Sequence, residues 1–185
     1  KVTVGLGGQE LGQGTFTVMA QMAAAALGVK YEDVRIAGPV DTQYSPYEWQ
    51  TVASRLTWSM GNAVRAAAAD ARRQILDVAA EAWKEKPEDL DIINGVIVSY
   101  KSERETPLAN LVIYGLPREN NQGWIGGPIV GRGSFMPNTL PTWTSKPVKA
   151  RALWCTIPLV VKVWILRSKR APARSTSSGL RQHSM

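Results

Sequence analysis

The longest periodic segment of the chain lies between Ser59 and Trp83, and it places the strongest constraint on the fold. Its apolar residues recur at intervals of three and four, which is the spacing of one face of an α-helix. These positions are Val64, Ala68, Ala71, Ile75, Val78 and Ala82. The other face carries four acids, Asp70, Asp77, Glu81 and Glu85. Pro87 ends the predicted helix, and other elements must cover its apolar face.

The N-terminal part of the chain predicts a second helix between two short strands. The segment Thr15–Leu27 is rich in alanine and methionine and precedes Gly28, the residue type that most often ends a helix. Thr15 or Thr17 can supply a hydroxyl cap at its start. The flanking predictions are a strand at 2–4, a glycine-rich turn at 5–14 and a strand at 33–36.

A hairpin follows the long helix. Asn94-Gly95 separates two apolar runs within residues 92–98, and this dipeptide favours a primed two-residue turn. Residues 41–57 predict a long ordered loop, and residues 107–138 are rich in glycine and proline. The order strand, helix, strand, loop, helix, hairpin, without internal repeats, predicts an α+β domain.

Composition excludes several classes of protein. Hydrophobic residues make up 44% of the 185 residues and charged residues 20%, which is typical of a globular domain. No apolar run approaches the ~20 residues of a membrane-spanning helix, and no secretory signal is visible. Cys155 is the single cysteine and His183 the single histidine. They exclude a disulfide framework, a zinc site built from protein ligands, and catalysis by a histidine in the body of the domain.

The positive net charge of +7 belongs to the last quarter of the chain. Residues 1–138 sum to −2, whereas residues 139–185 contain nine basic residues and no acid, and sum to +9. A basic segment of this kind can bind a phosphate backbone nonspecifically. The body of the domain is close to neutral, so the overall charge does not describe it.

Two segments are candidate anion sites because each precedes a predicted helix. In the first, Gly7 to Thr15, a glycine-rich turn supplies free backbone N–H groups, and Gln13 adds an amide that can donate and accept. It fits neither the P-loop nor the dinucleotide fingerprint, and its glycines can equally serve loop geometry alone. Glu10 within it, or Asp41 after the second strand, is a candidate general base, although a capping or solvated role is favoured.

The second candidate segment, from Val52 to Val64, groups hydroxyls and a guanidinium before the long helix. Ser54, Thr57 and Ser59 can bind phosphate together with Arg55. The alternative is ordinary N-capping, with Arg55 solvated or paired with a carboxylate. A long ligand with phosphates could bridge the two segments.

Both segments resemble the molybdopterin-binding large subunit of the xanthine dehydrogenase family. Gly8-Gln9-Glu10-Leu11-Gly12-Gln13-Gly14-Thr15 is similar to the family pattern G-x-E-x-G-Q-G-x-x-T, whose helix ends in L-G-V, as at Leu27-Gly28-Val29. Ala53-Ser54-Arg55 through Ala63-Val64 is similar to A-S-R-x-T-x-x-x-G-x-A-V. This form looks most like the bacterial branch that contains 4-hydroxybenzoyl-CoA reductase and nicotinate dehydrogenase. The resemblance covers residues 2–138.

The resemblance implies a molybdenum-cofactor-binding domain of a molybdenum hydroxylase. Gly12, Gln13 and Gly14 would face the molybdenum centre and the pterin, and Ala53 and Ser54 would bind the pterin or its pyrophosphate. It further implies molybdopterin cytosine dinucleotide as cofactor, and a partner iron–sulfur subunit (2Fe-2S) and FAD subunit. The reaction would be hydroxylation or dehydrogenation of an aromatic, heterocyclic or aldehyde substrate, with a cytoplasmic location and no membrane or nucleic-acid partner. No catalytic residue and no protein ligand to a metal is assigned.

The chain also departs from the family pattern. The G-E motif that carries the family's general base and the other molybdopterin loops do not occur in it, so we expect an internal fragment that is inactive alone. Residues 1–138 form the predicted molybdopterin-binding fragment.

Residues 139–185 form a basic tail that is either a disordered extension or the product of a one-nucleotide frame slip. In the slipped frame, the codons that span Trp143-Thr144 and Trp164-Ile165 would each encode Asp. The slipped frame of residues 153–174 permits VVYHTFGGQGVDLEVETGTGKV, which resembles the family's next strand pair. In the written frame, residues 159–166 alternate as a strand former does.

The basic tail also permits a function that is not enzymatic. In this alternative the chain is a non-enzymatic domain whose basic tail binds nucleic acid through Arg167, Lys169 and Arg170.

Overall fold

A computed structural model of the chain describes residues 1–38, 40–43, 45–48, 51–119, 122–136 and 159–165, the last segment mainly by its backbone. Cys155, His183 and the tail residues Arg167, Lys169 and Arg170 lie outside the described residues. The sequence-based hypotheses about them stay predictions.

Within the described part of the chain, three α-helices and nine strands form in the order β1, α1, β2, α2, β3, β4, β5, α3, β6, β7, β8, β9. The helices are α1 (Thr15–Leu27), α2 (Arg55–Trp83) and α3 (Leu108–Ile113). The strands are β1 (Val2–Gly5), β2 (Val34–Ile36), β3 (Leu90–Ile93), β4 (Val96–Ser99), β5 (Glu105–Pro107), β6 (Leu116–Pro117), β7 (Trp124–Ile125), β8 (Ile129–Phe135) and β9 (Leu159–Ile165).

The main sheet has four strands in the order β2-β1-β9-β8. β1 and β2 are parallel, and α1 connects them as the crossover that parallel neighbours require. β9 runs antiparallel to both of its neighbours, so that Ile165 pairs with Val2 on one side and with Ile129 on the other. A segment from the C-terminal quarter therefore occupies a central position in the sheet.

Helix α2 lies directly on the sheet because both surfaces carry small residues where they meet. A Cβ on Gly131 of β8 would lie 2.1 Å from the Ala67 carbonyl oxygen of α2. Helix α1 also packs against α2, and a Cβ on Gly61 would lie 2.7 Å from Met22 Sδ. The core of the domain is therefore centred on α2.

The predicted hairpin is confirmed and extends into a second sheet. β3, β4 and β5 form three antiparallel strands. Asn94 and Gly95, in the turn between β3 and β4, have φ values of 51° and 81°. Two consecutive positive φ values are those of a type I′ turn.

The α+β class, the strand at the start of the chain, helix α1 and the hairpin are all confirmed. The start of α2 was predicted too late, since the helix begins at Arg55 rather than near Ser59. No helix or strand was predicted within residues 107–136, but α3 and the strands β6 to β8 form there.

The proposed basic tail contains one described segment, β9, at the position where the sequence alternates as a strand does. The boundary at residue 138 and the origin of the tail stay predictions. Among the described residues, none of the helices has the length and apolar character needed to cross a membrane.

Candidate functional site

The structure brings the two candidate segments into contact. The glycine loop follows β1; its Gly8 lies against the first two turns of α2, and its Gly7 lies against the loop before α2. A Cβ on Gly8 would lie 2.4 Å from Met60 Cε and 3.0 Å from Leu56 Cδ1. A Cβ on Gly7 would lie 2.0 Å from the Pro46 carbonyl oxygen. The sequences around positions 8 and 54, separated along the chain, are therefore packed against each other.

The carboxylate of Glu10 closes the glycine loop onto the start of α1. Its Oε1 accepts hydrogen bonds from the backbone N–H groups of Gly12 and Gly14, at 2.8 and 2.9 Å. Its Oε2 accepts one from the N–H of Phe16, at 3.0 Å. Glu10 thus occupies the positive end of α1, where backbone N–H groups have no partner within the helix.

The prediction that a hydroxyl of Thr15 or Thr17 caps α1 was wrong. The N-cap residue of α1 is Gly14, with a φ of 78°, and a glycine has no side chain that could make a capping bond. The reason is that Glu10 reaches the same N–H groups from within the loop. A carboxylate four residues upstream replaces the hydroxyl that the local pattern predicts.

These hydrogen bonds lower the pKa of Glu10. The N–H of Phe16 has the largest effect and those of Gly14, Gly12 and Thr15 add to it, while partial burial acts in the opposite direction. A carboxylate with a lowered pKa is a weaker proton acceptor. The structure therefore favours the capping role of Glu10 over that of a general base.

The side chain of Gln13 is bonded within the same loop. Its Oε1 accepts from the Leu11 N–H at 2.7 Å, and its Nε2 donates to the Gln9 carbonyl oxygen at 3.1 Å and to Thr15 Oγ1 at 2.7 Å. Around Gly12, with a φ of 106°, a Cβ would meet no described atom within 4 Å. As far as the described residues extend, the outer face of this loop at Gly12 is open to close approach of a ligand.

The start of α2 differs electrostatically from the start of α1. Within the described chain, the first turn of α2 carries no acidic residue, and Ser54 in the N-cap position makes no capping bond with its side chain. Ala53 has a φ of 47°, and both residues are exposed. The N-terminus of α2 thus presents the positive end of a helix and the exposed hydroxyl of Ser54.

Arg55 is engaged by the protein. Its Nη2 pairs with Glu48, whose side chain is only 2% exposed, and its Nη1 donates to Ser59 Oγ at 3.1 Å. The alternative in which this arginine pairs with a carboxylate is confirmed. The pair ties the loop after β2 to the first turn of α2.

An aromatic pair that the sequence analysis did not single out lies beside this helix start. Trp58 and Phe135 pack edge to face, with ring centroids 5.2 Å apart and an interplanar angle of 85°. Trp58 is 48% exposed. Phe135 ends β8, and only the strand pairing places it here, so no local pattern could have indicated it.

Two further carboxylates, Asp41 and Asp70, have structural partners. Asp41, the other candidate base, accepts from the Gln43 N–H at 2.7 Å and forms a local turn. Asp70 accepts from Arg73, Gln74 and the backbone of Arg132, so it joins α2 to β8 and is more than the solvated residue predicted from the helix pattern. In the described ranges, no group of three or more His, Cys, Asp or Glu side chains could hold a metal ion.

Comparison with known families identifies the domain. The family model of the molybdopterin cofactor-binding domain matches residues 1–162. The chain belongs to this family. The match includes both motifs and the first four residues of β9, and it confirms the resemblance to a molybdenum-cofactor-binding domain.

Curated relatives agree with this assignment. The chain is 34% identical over 110 residues to the xanthine dehydrogenase molybdenum-binding subunit of Escherichia coli O157:H7. These residues cover 60% of this chain and 14% of the relative. It is 33% identical over 109 residues to isoquinoline 1-oxidoreductase subunit beta of Brevundimonas diminuta, covering 56% and 14%. The chain therefore spans about one-seventh of the length of these relatives.

Solved structures have the same fold. Quinoline 2-oxidoreductase from Pseudomonas putida 86 superimposes with a TM-score of 0.52 at 29% identity, over 60% of this chain and 14% of that one. The Cu,Mo-CO dehydrogenase, in its carbon monoxide reduced state, gives a TM-score of 0.51 at 21% identity, over 70% and 18%. At that identity the second structure supports the fold alone.

The five residues predicted to bind the cofactor fall into two groups in the structure. Gly12, Gln13 and Gly14 lie on the glycine loop, and Ala53 and Ser54 immediately precede α2. The contact between the loop and α2 through Gly8, Leu56 and Met60 relates the two groups. Their binding role stays a prediction.

Proposed function

We propose that the chain contributes to the molybdopterin-binding subunit of an oxidoreductase of the xanthine dehydrogenase type. Gly12, Gln13, Gly14, Ala53 and Ser54 are its part of the cofactor site. The observation that carries this proposal is the contact of Gly8 with Leu56 and Met60, because it packs the two motifs against each other.

The residues fit a cofactor that combines a flat ring system with phosphate. The open outer face at Gly12 allows a ring to approach the backbone closely. Phosphate is better matched to Ser54 and the start of α2, where Ser54 is exposed and the nearby carboxylate of Glu48 pairs with the Arg55 side chain. The start of α1 is a poorer phosphate site because Glu10 already holds its N–H groups.

When bound, the cofactor would supply a molybdenum centre for hydroxylation with water as the oxygen source. The chain's own residues bind and orient it, which requires no cluster of protein ligands to the metal. We propose the cytosine dinucleotide form, since an extended anion suits two adjacent binding segments.

The substrate proposed is an aromatic, heterocyclic or aldehyde compound. The names of two similar proteins, an isoquinoline 1-oxidoreductase subunit and a quinoline 2-oxidoreductase, support the heterocyclic class. The isoquinoline relative and the 6-hydroxypseudooxynicotine dehydrogenase relative are named as subunits, which supports partner subunits here. We propose that these carry 2Fe-2S clusters and FAD, and a cytoplasmic location stays a prediction.

The proposal is tested by binding isolated molybdopterin to the full 185-residue chain in anaerobic equilibrium dialysis. Gly12→Val blocks the open backbone face and Ser54→Ala removes a hydroxyl from the α2 start. We expect each to weaken binding at least ~10-fold, the equivalent of one hydrogen bond to a charged group.

The matched control is Gly123→Val. Gly123 has a φ of 86° and, like Gly12, has no described atom within 4 Å of a Cβ, so both substitutions impose similar backbone strain. The control should bind like the wild type. A wild-type chain that does not retain molybdopterin, or a control that loses it equally, would overturn the proposal.

A further inference from the structure

The proposed cofactor loop contains a carboxylate that no cofactor contact explains. Glu10 lies between the proposed pterin-binding residues and β1, in the middle of the glycine loop. A negative charge is unfavourable beside an anionic cofactor unless the protein compensates it. The backbone N–H groups of Gly12, Gly14 and Phe16 provide that compensation.

We infer that Glu10 is a positioning residue of the cofactor site: its carboxylate holds the backbone of Gly12–Gly14 in the conformation that receives the cofactor. The inference rests on the proposed function and extends it to a residue that does not touch the ligand. It assigns to one side chain both the cap of α1 and the shape of the loop.

The backbone conformation of the loop shows why such a residue is needed. Gly12 and Gly14 have φ values of 106° and 78°. Glycine adopts these values readily but also leaves them readily. A loop with such residues costs conformational entropy when a ligand orders it, and a loop that is already ordered avoids this loss.

The hydrogen bonds of Glu10 act at the two ends of the segment. Oε1 accepts from Gly12 and Gly14, one residue on either side of Gln13, and Oε2 fixes the next turn through Phe16. Gln13 completes the arrangement, because its amide joins Gln9 to Thr15 across the loop. The carboxylate and the amide together determine which face of the backbone remains open.

Acceptor chemistry requires the carboxylate in this position. Its two oxygens accept from N–H groups at both ends, and a glutamine of the same size has only one oxygen acceptor. In Glu10→Gln, an NH₂ group must face at least one backbone N–H. Glu10→Asp keeps both acceptors on a shorter side chain, which cannot reach all three donors at once.

The experiment measures backbone order and cofactor affinity separately in the full 185-residue chain. Hydrogen exchange followed by mass spectrometry reports on the amides of residues 11–16 without cofactor. Anaerobic dialysis with isolated molybdopterin reports affinity. For Glu10→Gln we expect exchange in this segment at least ~10-fold faster and affinity at least ~10-fold weaker, with Glu10→Asp between this variant and the wild type.

The matched control is Glu85→Gln. Glu85 also accepts hydrogen bonds, from Ser99 and Ser102, but on the turns beside the second sheet. We expect it to leave both the exchange of residues 11–16 and the affinity unchanged. This control separates a positioning effect from a general loss of stability.

The outcomes separate this inference from the proposed function. If the wild-type chain does not bind molybdopterin, the proposed function fails and this inference with it. If the wild type binds and Glu10→Gln binds equally well, only the inference is overturned. Faster exchange throughout α1 and α2, with affinity reduced equally in Glu85→Gln, also overturns it, because Glu10 would then be merely structural.

Discussion

Gly133 of β8 lies so close to α2 that a Cβ on this glycine would be 2.2 Å from the backbone nitrogen of Ala67. The same Cβ would be 2.4 Å from the carbonyl oxygen of Ala63. Both neighbours are backbone atoms in the middle of a long helix, so neither can move away cheaply. The short separation between β8 and α2 therefore depends on the absence of side chains at Gly133 and at Gly131.

Substituting this glycine should destabilise the whole domain. We expect Gly133→Ala to lower the free energy of unfolding by about 3 kcal/mol, because overpacking against backbone is costly. Urea denaturation followed by circular dichroism measures the loss. Gly38→Ala is the control, since a Cβ at Gly38 meets no described atom within 4 Å. Equal stabilities of the two variants would contradict the packing described for β8.

Local elements of this fold follow from local sequence, whereas the central packing does not. Helix α1 and the turn at Asn94-Gly95 were predicted because their signals are short-range: a terminal glycine and a dipeptide that adopts positive φ. The pairing of β8 with β9 joins distant segments. The glycines at 131 and 133 indicated only a loop, because their purpose is visible only once α2 lies on them.

The carboxylate of Asp70 should make stability depend on pH. The hydrogen bond from Arg73 has the largest effect and, with that from the Arg132 N–H, lowers the pKa of this carboxyl. Because the folded state favours the charged form, the stabilisation is present above the ordinary aspartate pKa of ~3.9 and is lost as pH falls through the lower folded value. Thermal denaturation between about pH 5 and pH 2 should show this loss.

Asp70→Asn should reduce that pH dependence and cost about 1–2 kcal/mol at neutral pH, through weaker hydrogen bonds to Arg132 and Arg73. Asp77→Asn removes the same charge from an exposed position of α2 and serves as the control. A wild-type acid transition identical to that of Asp70→Asn would show that Asp70 does not join α2 to β8 as described.

The ion pair between Glu48 and Arg55 should matter more than an exposed pair. The Glu48 side chain is 2% exposed, and it pairs with the guanidinium of Arg55, the first residue of α2. Removing one partner of a buried pair leaves an uncompensated charge, so Glu48→Gln should cost about 3 kcal/mol. In the comparison pair, Arg104 and Glu119 are 46% and 37% exposed, and Glu119→Gln should cost about 0.5 kcal/mol or less.

Chemical denaturation of the two variants at low and at high salt checks this difference. The larger cost at Glu48 should persist at high salt, because buried pairs are screened less than exposed ones. Similar costs for both variants would mean that the loop before α2 is not held by this pair.

The candidate site shows the same division between local and spatial information. Both motifs were recognised from their residues, and a capping or solvated role for Glu10 was favoured on general grounds. The donors it binds could not be assigned, because a hydroxyl at Thr15 satisfies the same local rule. Only the folded loop shows that the carboxylate reaches Gly12, Gly14 and Phe16 together.

Adjacent glycines of the loop should respond differently to the same substitution. A Cβ on Gly7 would lie 2.0 Å from a backbone oxygen, that of Pro46, whereas a Cβ on Gly8 would lie 2.4 Å from the terminal methyl of Met60. A methyl group at the end of a flexible side chain can move, and a carbonyl in a packed loop cannot. Gly7→Ala should therefore cost about 3 kcal/mol, and Gly8→Ala about 1 kcal/mol.

Urea denaturation gives both values, and Met60→Leu in the Gly8→Ala background tests the cause. Leucine lacks the terminal methyl of methionine, so Met60→Leu should recover part of the stability lost in Gly8→Ala. In the Gly7→Ala background, the same substitution should recover none of the lost stability. The reverse order of the two alanine costs would mean that the glycine loop does not rest on α2 through Gly8. The two halves of the proposed cofactor site would then not be joined by this contact.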